Sequence, residues 1–170
     1  MIRNFFKEDL RQIRAFVFDV DGVLSTNELI LHPSGDMMRT VNTRDGFAIQ
    51  LAVRSGFAVA VITGARSESI RKRFNDLGVF DVYLSSADKV ADLKDFIVKR
   101  NLYAGEILYM GDDLPDYGAM KLAGLPTCPN DAASEIQAVA RYISDYPGGR
   151  GCVRDVIEQV LRSQGLWPSY

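Results

Sequence analysis

The sequence predicts an α/β fold, with a three-layer, Rossmann-like parallel sheet, helices on both of its faces, a small β-hairpin insertion and no large cap domain. Short apolar runs rich in β-branched and aromatic residues alternate with helical patterns along the 170-residue chain, as in proteins built from βα units. The segment that interrupts this alternation after the first strand is too short to form a second domain. We therefore expect a single domain over residues 1–170, long enough to bury one core.

Six strands are predicted from runs of apolar residues, of which the last two are the weaker. Because the carboxyl ends of parallel strands meet at one edge of a sheet, ligand-binding residues are expected just after these runs. The runs are Ala15 to Val20, Phe57 to Ile62, Val82 to Leu84, Ile107 to Met110, Pro126 to Cys128 and Tyr142 to Ser144.

Four helices are predicted between and after the strands. The first covers Gly46 to Ser55, and the second covers Ser67 to Leu77 and stops before Gly78. Asp88 is a suitable capping residue for the third helix, and the fourth repeats apolar residues at helical spacing from about Val153.

Two segments fall outside the alternation of strands and helices. Glu28 to His32 and Met37 to Val41 flank Pro33 to Asp36, which predicts a β-hairpin inserted after the first strand. The hairpin is too small to cover an active site, so the site should be open in the monomer. Tyr146 to Gly151 holds three glycines and a proline, and is either a flexible linker or a mobile loop whose Arg150 reaches an anionic substrate.

The composition is that of an ordinary globular protein. Hydrophobic residues make up 47% of the chain and the formal net charge is -2, which gives no electrostatic reason to expect a nucleic-acid partner. The N-terminus lacks the pattern of a secretory signal and no run reaches membrane-spanning length, so we expect a cytoplasmic protein without a membrane partner. Cys128 and Cys152 are expected to be buried or incidental thiols rather than a disulfide or zinc site.

The first predicted strand ends in two carboxylates one residue apart, Asp19 and Asp21. Side chains alternate along a strand, so both can lie on one side at its carboxyl end. Two neighbouring carboxylates resist ionisation unless a cation neutralises them or one holds a proton. The pair therefore suits a magnesium-dependent site in which one Asp attacks phosphorus and the other moves a proton. Turn residues after a strand are the alternative interpretation of DxDG alone.

Three further strand ends carry residues that complement this pair. Thr63, after the second strand, can donate a hydrogen bond to a phosphoryl oxygen. Lys89, at the start of a helix, can offset the negative charge of an aspartyl nucleophile and a phosphoryl group. Asp112 follows the fourth strand and, with Asp19 and the backbone carbonyl of Asp21, makes a sensible ligand set for Mg²⁺. Asp113 and Asp116 can then orient Lys89 or coordinated water, or cap a helix. Each signal is weak alone, but their order along the chain is specific.

Together these signals resemble the haloacid dehalogenase superfamily of aspartate-nucleophile phosphatases, over nearly the whole chain. The resemblance implies Mg²⁺ as the cofactor, Asp19 as the nucleophile and Asp21 as the acid and base. It also implies that Thr63, Gly64 and Lys89 bind the phosphoryl oxygens. The motifs that carry it are DxDG from Asp19, Thr63-Gly64, Lys89 and GDDxxD from Gly111.

Within the superfamily, the hairpin and four further segments resemble a branch with a small cap or none. That branch acts on 3-deoxy-D-manno-octulosonate 8-phosphate in lipopolysaccharide biosynthesis. The resemblance implies a homotetramer whose hairpins meet at the centre, and in which the glycine-rich C-terminal segment of one subunit closes its neighbour's active site. The four segments are Asn42 to Ile49, Ile62 to Gly64, Tyr109 to Asp116 and Pro147 to Gly151.

One position departs from this branch. Many relatives carry Arg or Lys directly after the Thr-Gly strand end, whereas this chain has Ala65 there and Arg66 one position later. The group that meets the sugar carboxylate is therefore open among Arg44, Arg66 and Arg150, since a guanidinium can bind a carboxylate bidentately. Close relatives dephosphorylate nine-carbon sialic-type sugar 9-phosphates, so such a phosphate is the alternative substrate.

Two interpretations from other functional classes are weighed against a phosphatase. A phosphorylation-receiver domain also combines acidic residues, a Thr or Ser and a Lys on a parallel sheet, but its acceptor Asp lies on a middle strand. An inactive scaffold subunit is disfavoured because losing the nucleophile or the acid would be the simplest sign of inactivity. The residues retained here are Asp19, Asp21, Thr63, Lys89 and Asp112.

Overall fold

A six-stranded parallel sheet forms the centre of the computed structural model, which describes residues 9–169. The strands in chain order are β1 (Ala15–Phe18), β2 (Ile30–Leu31), β3 (Met37–Met38), β4 (Ala58–Ile62), β5 (Asp81–Tyr83), β6 (Ile107–Met110), β7 (Leu125–Cys128) and β8 (Tyr142–Ile143). The order within the sheet is β5-β4-β1-β6-β7-β8, and β2 and β3 form a separate antiparallel hairpin. Residues 1–8, where no secretory signal was expected, and Tyr170 lie outside the described residues.

Six α-helices connect and follow the strands of the described chain. Two of them, α4 and α5, were not predicted, because each is only six residues long and shows too few apolar positions to reveal a helical period. The helices are α1 (Thr43–Arg54), α2 (Glu68–Asp76), α3 (Lys89–Arg100), α4 (Tyr117–Leu122), α5 (Ser134–Val139) and α6 (Cys152–Ser163).

Helix α1 begins three residues before its predicted start at Gly46. Its N-terminus is capped by Asn42, whose side-chain oxygen accepts the backbone N–H groups of Arg44 at 2.9 Å and Asp45 at 3.1 Å. An asparagine in this role satisfies donors that the first helical turn leaves unpaired. Asp88 caps α3 in the same way, as its position in the sequence predicted.

The predicted three-layer α/β fold is confirmed. Phe16 and Phe18 pack in one apolar core with α1, α2 and α6, whereas Ala15 and Val17 pack in a second core with α3, α4 and α5. This division follows from the alternation of side chains along a strand. Cys128 and Cys152 are both buried and unpaired. Within residues 9–169, no helix is both long enough and apolar enough to cross a bilayer.

The sheet order places the end of β1 between the ends of β4 and β6. Phe18, the last residue of β1, lies opposite Val61 of β4 and Met110 of β6. Residues that directly follow these three strands therefore emerge side by side at one edge. Helix α3 begins after the next strand outward, β5, and brings its first turn to the same edge.

Asp45 connects α1 to the start of α6. Its Oδ1 accepts the backbone N–H of Arg154 at 2.8 Å, while its Oδ2 has no hydrogen-bond partner among the described residues. The residue is 2% exposed, and this burial raises the pKa of its carboxyl group to about 6. The folded chain therefore disfavours the ionised form of Asp45 relative to the unfolded chain.

The free energy of unfolding should record this burial as a pH dependence. A raised folded-state pKa means that the folded chain binds more protons, so stability contributed by Asp45 grows as the pH falls from about 6 to about 4. Urea unfolding should therefore show wild type gaining about 2 kcal/mol relative to Asp45→Asn between about pH 7 and about pH 4. Asp76→Asn, at an exposed carboxylate, is the control and should follow wild type. A constant difference between wild type and Asp45→Asn would refute the assignment.

Candidate active site

Asp19 lies one residue beyond β1, between the two neighbouring strand ends. Its backbone N–H donates to the carbonyl of Met110 at 3.1 Å, which continues the pairing with β6 past the end of β1. Its Oδ1 accepts the backbone N–H of Val20 at 2.7 Å and lies 3.0 Å from Lys89 Nζ. The Asp19 residue is 7% exposed, and these two contacts hold its carboxylate in position.

Lys89 is held at this position by Asp116. The ammonium donates to Asp116 Oδ1 at 2.7 Å, and the Tyr109 hydroxyl donates to the same oxygen at 2.8 Å. Asp116 Oδ2 accepts the backbone N–H of Asp112 at 3.2 Å. Asp116 thus orients a buried cation towards Asp19 and also fixes the backbone at Asp112. Asp116 was expected to orient Lys89 or coordinated water, or to cap a helix, whereas Tyr109 was not among the predicted site residues.

The charges of this cluster shift the pKa values of its members. Burial, followed by the neighbouring Asp116 carboxylate, raises the pKa of Asp19 well above its ordinary value, although Lys89 opposes the shift. Burial alone would lower the pKa of Lys89, but Asp19 and Asp116 outweigh it and the pKa is raised. Lys89 therefore stays positively charged, and its single charge does not neutralise all the neighbouring carboxylates.

Asp19, Asp112 and Asp116 each offer one carboxylate oxygen, and these oxygens lie within 4.8 Å of one another. Asp112 Oδ1 is buried and has no hydrogen-bond partner among residues 9–169. Burial, followed by the charges of Asp116 and Asp113, raises the pKa of Asp112 to about 7. A buried carboxylate oxygen without a donor, next to another carboxylate, is the environment that a hard divalent cation stabilises. The donor set fits Mg²⁺.

Gly22 leaves room for the Asp112 carboxylate of this cluster. Its φ angle is +88°, a conformation that favours glycine, and a Cβ at this position would collide with the Asp112 carboxylate. The DxDG sequence thus ends in glycine because the following loop must turn sharply and pass directly over Asp112.

Asp21 is not one of the three clustered carboxylates, and its side chain is paired with Arg39, which follows β3 of the hairpin. Arg39 Nε donates to Asp21 Oδ1 at 2.6 Å, and a terminal guanidinium nitrogen donates to Oδ2 at 2.9 Å. Ser25 Oγ also donates to Asp21 Oδ1, at 3.3 Å. Arg39 was not among the predicted site residues, although it is the one charged residue between Met37 and Val41.

Thr63 and the residues after it form the other side of the site. Thr63 is buried, and its Oγ1 accepts the backbone N–H of Ala65 at 3.1 Å, which leaves the hydroxyl hydrogen for another acceptor. Gly64 and the exposed Arg66 line a cavity of about 530 Å³ together with Asp21 and Arg39. Arg66 therefore shares a cavity with one member of the predicted acidic pair.

The other two predicted arginines lie elsewhere in the single chain. Arg44 and Arg150 line a second cavity, of about 1000 Å³, with Arg154 and Arg162 of α6. Neither residue lines the cavity that contains Asp21 and Arg66. The structure of one chain thus brings together Asp21, Gly64 and Arg66, but not Arg44 or Arg150.

The glycine-rich segment is packed against the loop that follows Asp21. The Gly149 N–H donates to the carbonyl of Val23 at 2.8 Å, and the Gly148 N–H donates to Asp131 Oδ1 at 2.9 Å. A Cβ on Gly148 would collide with the backbone of Gly22. The glycine-rich segment therefore packs against the DxDG loop in this structure and is not a free linker.

Gly148→Ala should therefore disturb the site without changing any reacting group. We expect kcat/KM to fall by about 10-fold and the free energy of unfolding by about 1–3 kcal/mol, because the added methyl group displaces the loop after Asp21. Gly105→Ala is the matched control, since a Cβ there has no neighbour within 4 Å. Steady-state kinetics and urea unfolding of both variants test this. Unchanged kinetics for Gly148→Ala would show that the two loops are not coupled.

Comparisons with curated proteins and solved structures identify relatives of this chain. No protein-family model matches the chain. A curated 3-deoxy-D-manno-octulosonate 8-phosphate phosphatase from Salmonella typhi is 34% identical over 153 residues, covering 90% of this chain and 81% of the relative. The chain belongs to the 3-deoxy-D-manno-octulosonate 8-phosphate phosphatase family. The resemblance to the haloacid dehalogenase superfamily is thereby confirmed, and the chain is a phosphatase.

Two crystal structures from this family are close to the fold described above. The enzyme from Yersinia pestis superposes with a TM-score of 0.91 at 31% identity, over 94% of this chain and 86% of the other. The enzyme from Moraxella catarrhalis gives a TM-score of 0.90 at 31% identity, over 94% of this chain and 91% of the other. The Moraxella crystal contains a magnesium ion, a phosphate ion and a KDO molecule.

Proposed function

We propose that this chain is a Mg²⁺-dependent phosphomonoester hydrolase that converts 3-deoxy-D-manno-octulosonate 8-phosphate to 3-deoxy-D-manno-octulosonate and phosphate. It would act in the cytoplasm, in lipopolysaccharide biosynthesis, as one domain over residues 1–170. The observation that carries the chemistry is the convergence of Asp19, Lys89 and the unpartnered Asp112 oxygen at one sheet edge. The ligands of the Moraxella relative support the substrate.

Asp19, Asp112 and the backbone carbonyl of Asp21 would hold Mg²⁺. Asp116 is less suited to this task, because both of its oxygens already accept hydrogen bonds. When bound, Mg²⁺ supplies positive charge that offsets the repulsion between the Asp19 carboxylate and the phosphate oxygens.

In the first step, an Asp19 oxygen forms a bond to phosphorus while the bond between phosphorus and the sugar oxygen breaks. The carboxyl group of Asp21 gives its proton to the departing sugar oxygen, and an aspartyl-phosphate remains. In the second step, Asp21 takes a proton from a water molecule whose oxygen attacks phosphorus, which releases phosphate and regenerates Asp19. Lys89, the Thr63 hydroxyl and the Gly64 backbone bind the phosphoryl oxygens as charge shifts among them.

Of the three arginines that the sequence offered for the sugar carboxylate, Arg66 is the one that shares the cavity of Asp21. Arg44 and Arg150 face a separate cavity, so they would serve a neighbouring subunit's site rather than their own. A nine-carbon sialic-type sugar 9-phosphate remains the alternative substrate, since the same groups would bind its carboxylate.

We propose a homotetramer with the hairpins at its centre. The four apolar side chains of the hairpin strands are exposed: Ile30 by 60%, Leu31 by 77%, Met37 by 48% and Met38 by 46%. Exposed apolar residues on a short strand pair favour contact with another chain. Arg150, which is exposed within the glycine-rich segment, would then reach a neighbouring site. Sedimentation velocity should show a tetramer, and a monomer at micromolar concentration would contradict this assembly.

A substrate panel tests the proposed function. Inorganic phosphate release is measured, with and without Mg²⁺, from the eight-carbon and nine-carbon keto-sugar phosphates and from para-nitrophenyl phosphate. The proposal expects repeated turnover and the highest kcat/KM for 3-deoxy-D-manno-octulosonate 8-phosphate. A higher kcat/KM for the nine-carbon ester would show that the nine-carbon sugar phosphate is the substrate, and the proposed phosphatase chemistry would stand. Release of at most one phosphate per chain would support a receiver domain instead.

A further inference from the structure

Arg39 directly follows β3 and differs in exposure from the two residues of that strand. Met37 and Met38 are each nearly half exposed, whereas the Arg39 side chain is only 11% exposed and turns towards the sheet edge. Its third hydrogen bond, from a terminal guanidinium nitrogen to the carbonyl of Met37 at 2.8 Å, fixes it to the hairpin backbone. The hairpin therefore delivers an ordered guanidinium into the site.

Both oxygens of Asp21 are occupied by this guanidinium. The Nε–Oδ1 and terminal nitrogen–Oδ2 contacts, at 2.6 Å and 2.9 Å, form the parallel pair that arginine makes with any carboxylate. In the proposed reaction, however, Asp21 must turn one oxygen towards the leaving group. Arg39 must therefore give up at least one of these contacts when the substrate binds. Because its side chain is only 11% exposed, a second carboxylate that replaces the first would stabilise its charge.

A substrate carboxylate that replaces Asp21 would bind in the cavity next to the Asp21–Arg39 pair. Arg39 lines it from the hairpin side, and Gly64, Ala65 and Arg66 line it from the side of β4. At about 530 Å³ it is large enough for a small ligand. A sugar phosphate that enters with its phosphate towards Asp19 would place the rest of the molecule among these residues.

We propose that Arg39 is the residue that recognises the substrate's carboxylate, and that it does so by exchanging Asp21 for that carboxylate. The inference rests on the proposed function, because it assigns Asp21 its role in proton transfer. The substrate class follows from the exchange: a phosphomonoester whose far end carries a carboxylate. A neutral sugar phosphate cannot offer Arg39 a second carboxylate, so it leaves Arg39 on Asp21.

Arg39→Gln and wild type should be compared on two esters, 3-deoxy-D-manno-octulosonate 8-phosphate and D-mannose 6-phosphate, which has no carboxylate. On the first, kcat/KM should fall by about 100-fold or more, mostly through KM, because a charge-assisted bidentate contact is lost. On mannose 6-phosphate it should stay within about 3-fold of wild type or rise, because Asp21 is released. Inhibition by free 3-deoxy-D-manno-octulosonate should weaken in the variant, while inhibition by inorganic phosphate should not.

Two further variants keep this test decisive. Arg39→Lys retains the charge but not the paired geometry, so it should lose about 10-fold on the carboxylate ester alone and serves if Arg39→Gln does not fold. Arg54→Gln, at an exposed arginine at the end of α1, should match wild type on both esters.

The outcomes separate the inference from the proposed function. Equal losses on both esters, or a loss only in kcat, would show that Arg39 merely positions Asp21 and would overturn the inference. Unchanged kinetics on both would remove Arg39 from the site. If wild type prefers the carboxylate ester and Arg39→Gln keeps that preference, only the inference fails. If wild type shows no preference for the carboxylate ester, the proposed function fails as well.

Discussion

Asp19→Asn is expected to lower kcat by at least about 10⁴-fold on every phosphomonoester, because an amide nitrogen or oxygen cannot replace a carboxylate as the nucleophile. The fold should persist, since Lys89 keeps its 2.7 Å contact with Asp116 when the charge of Asp19 is removed. The loss should appear in kcat rather than in KM, because the phosphate-binding groups are unchanged. Phosphate release, followed over hours with freshly purified protein, measures it.

Asp95→Asn is the control for this variant. Asp95 is an exposed carboxylate on α3 that accepts a hydrogen bond from Tyr83, far from any proposed role in the reaction. Its kinetics should equal those of wild type. Mass spectrometry must exclude deamidation of the new asparagine, which would regenerate wild type. Activity of Asp19→Asn above a tenth of the wild-type value, with deamidation excluded, would remove Asp19 as the nucleophile.

Asp112→Asn should show activity and stability changing in opposite directions. The Mg²⁺ concentration for half-maximal activity should rise by about 100-fold or more, because a neutral amide replaces a charged ligand. Without Mg²⁺ the variant should be more stable than wild type, because it removes a buried charge that burial, Asp116 and Asp113 disfavour. Thermal unfolding with and without Mg²⁺ measures the second effect. Added Mg²⁺ should raise Tm in wild type but scarcely in the variant.

The neighbouring residue provides a matched control for Asp112→Asn. Asp113 is exposed and its Oδ1 accepts the backbone N–H of Leu114 at 2.8 Å, a local capping contact. Asp113→Asn should leave the Mg²⁺ dependence close to that of wild type. If Asp112→Asn and Asp113→Asn required the same Mg²⁺ concentration, or if Asp112→Asn lowered stability without Mg²⁺, the proposed cation site would be wrong.

The sheet edge could be predicted from sequence because strand ends in a parallel sheet are neighbours by construction. Asp19 and Thr63 directly follow β1 and β4, Asp112 lies two residues after the end of β6, and Lys89 opens the helix after β5. Their proximity needs only the strand order, which places β1 between β4 and β6. Local sequence patterns were sufficient for that step.

The contacts of Arg39, Arg44 and Arg150 could not be predicted in the same way. Arg39 reaches Asp21 across 18 residues, and whether it does so depends on how the hairpin bends back towards the sheet. Arg44 lies at the start of α1, whose extension to Thr43 depends on the cap at Asn42. The direction of Arg150 depends on the glycine-rich segment packing against Val23. Each requires tertiary packing that no periodic pattern encodes.

Chemical trapping can determine whether Asp19 accepts the phosphoryl group. Enzyme mixed with 3-deoxy-D-manno-octulosonate 8-phosphate and Mg²⁺ is quenched in acid within milliseconds and treated with borohydride, which reduces an acyl phosphate to an alcohol. Peptide mass spectrometry should find homoserine at position 19 only when substrate and Mg²⁺ are both present. Reduction at another carboxylate, or none in an enzyme that turns over normally, would contradict this role of Asp19.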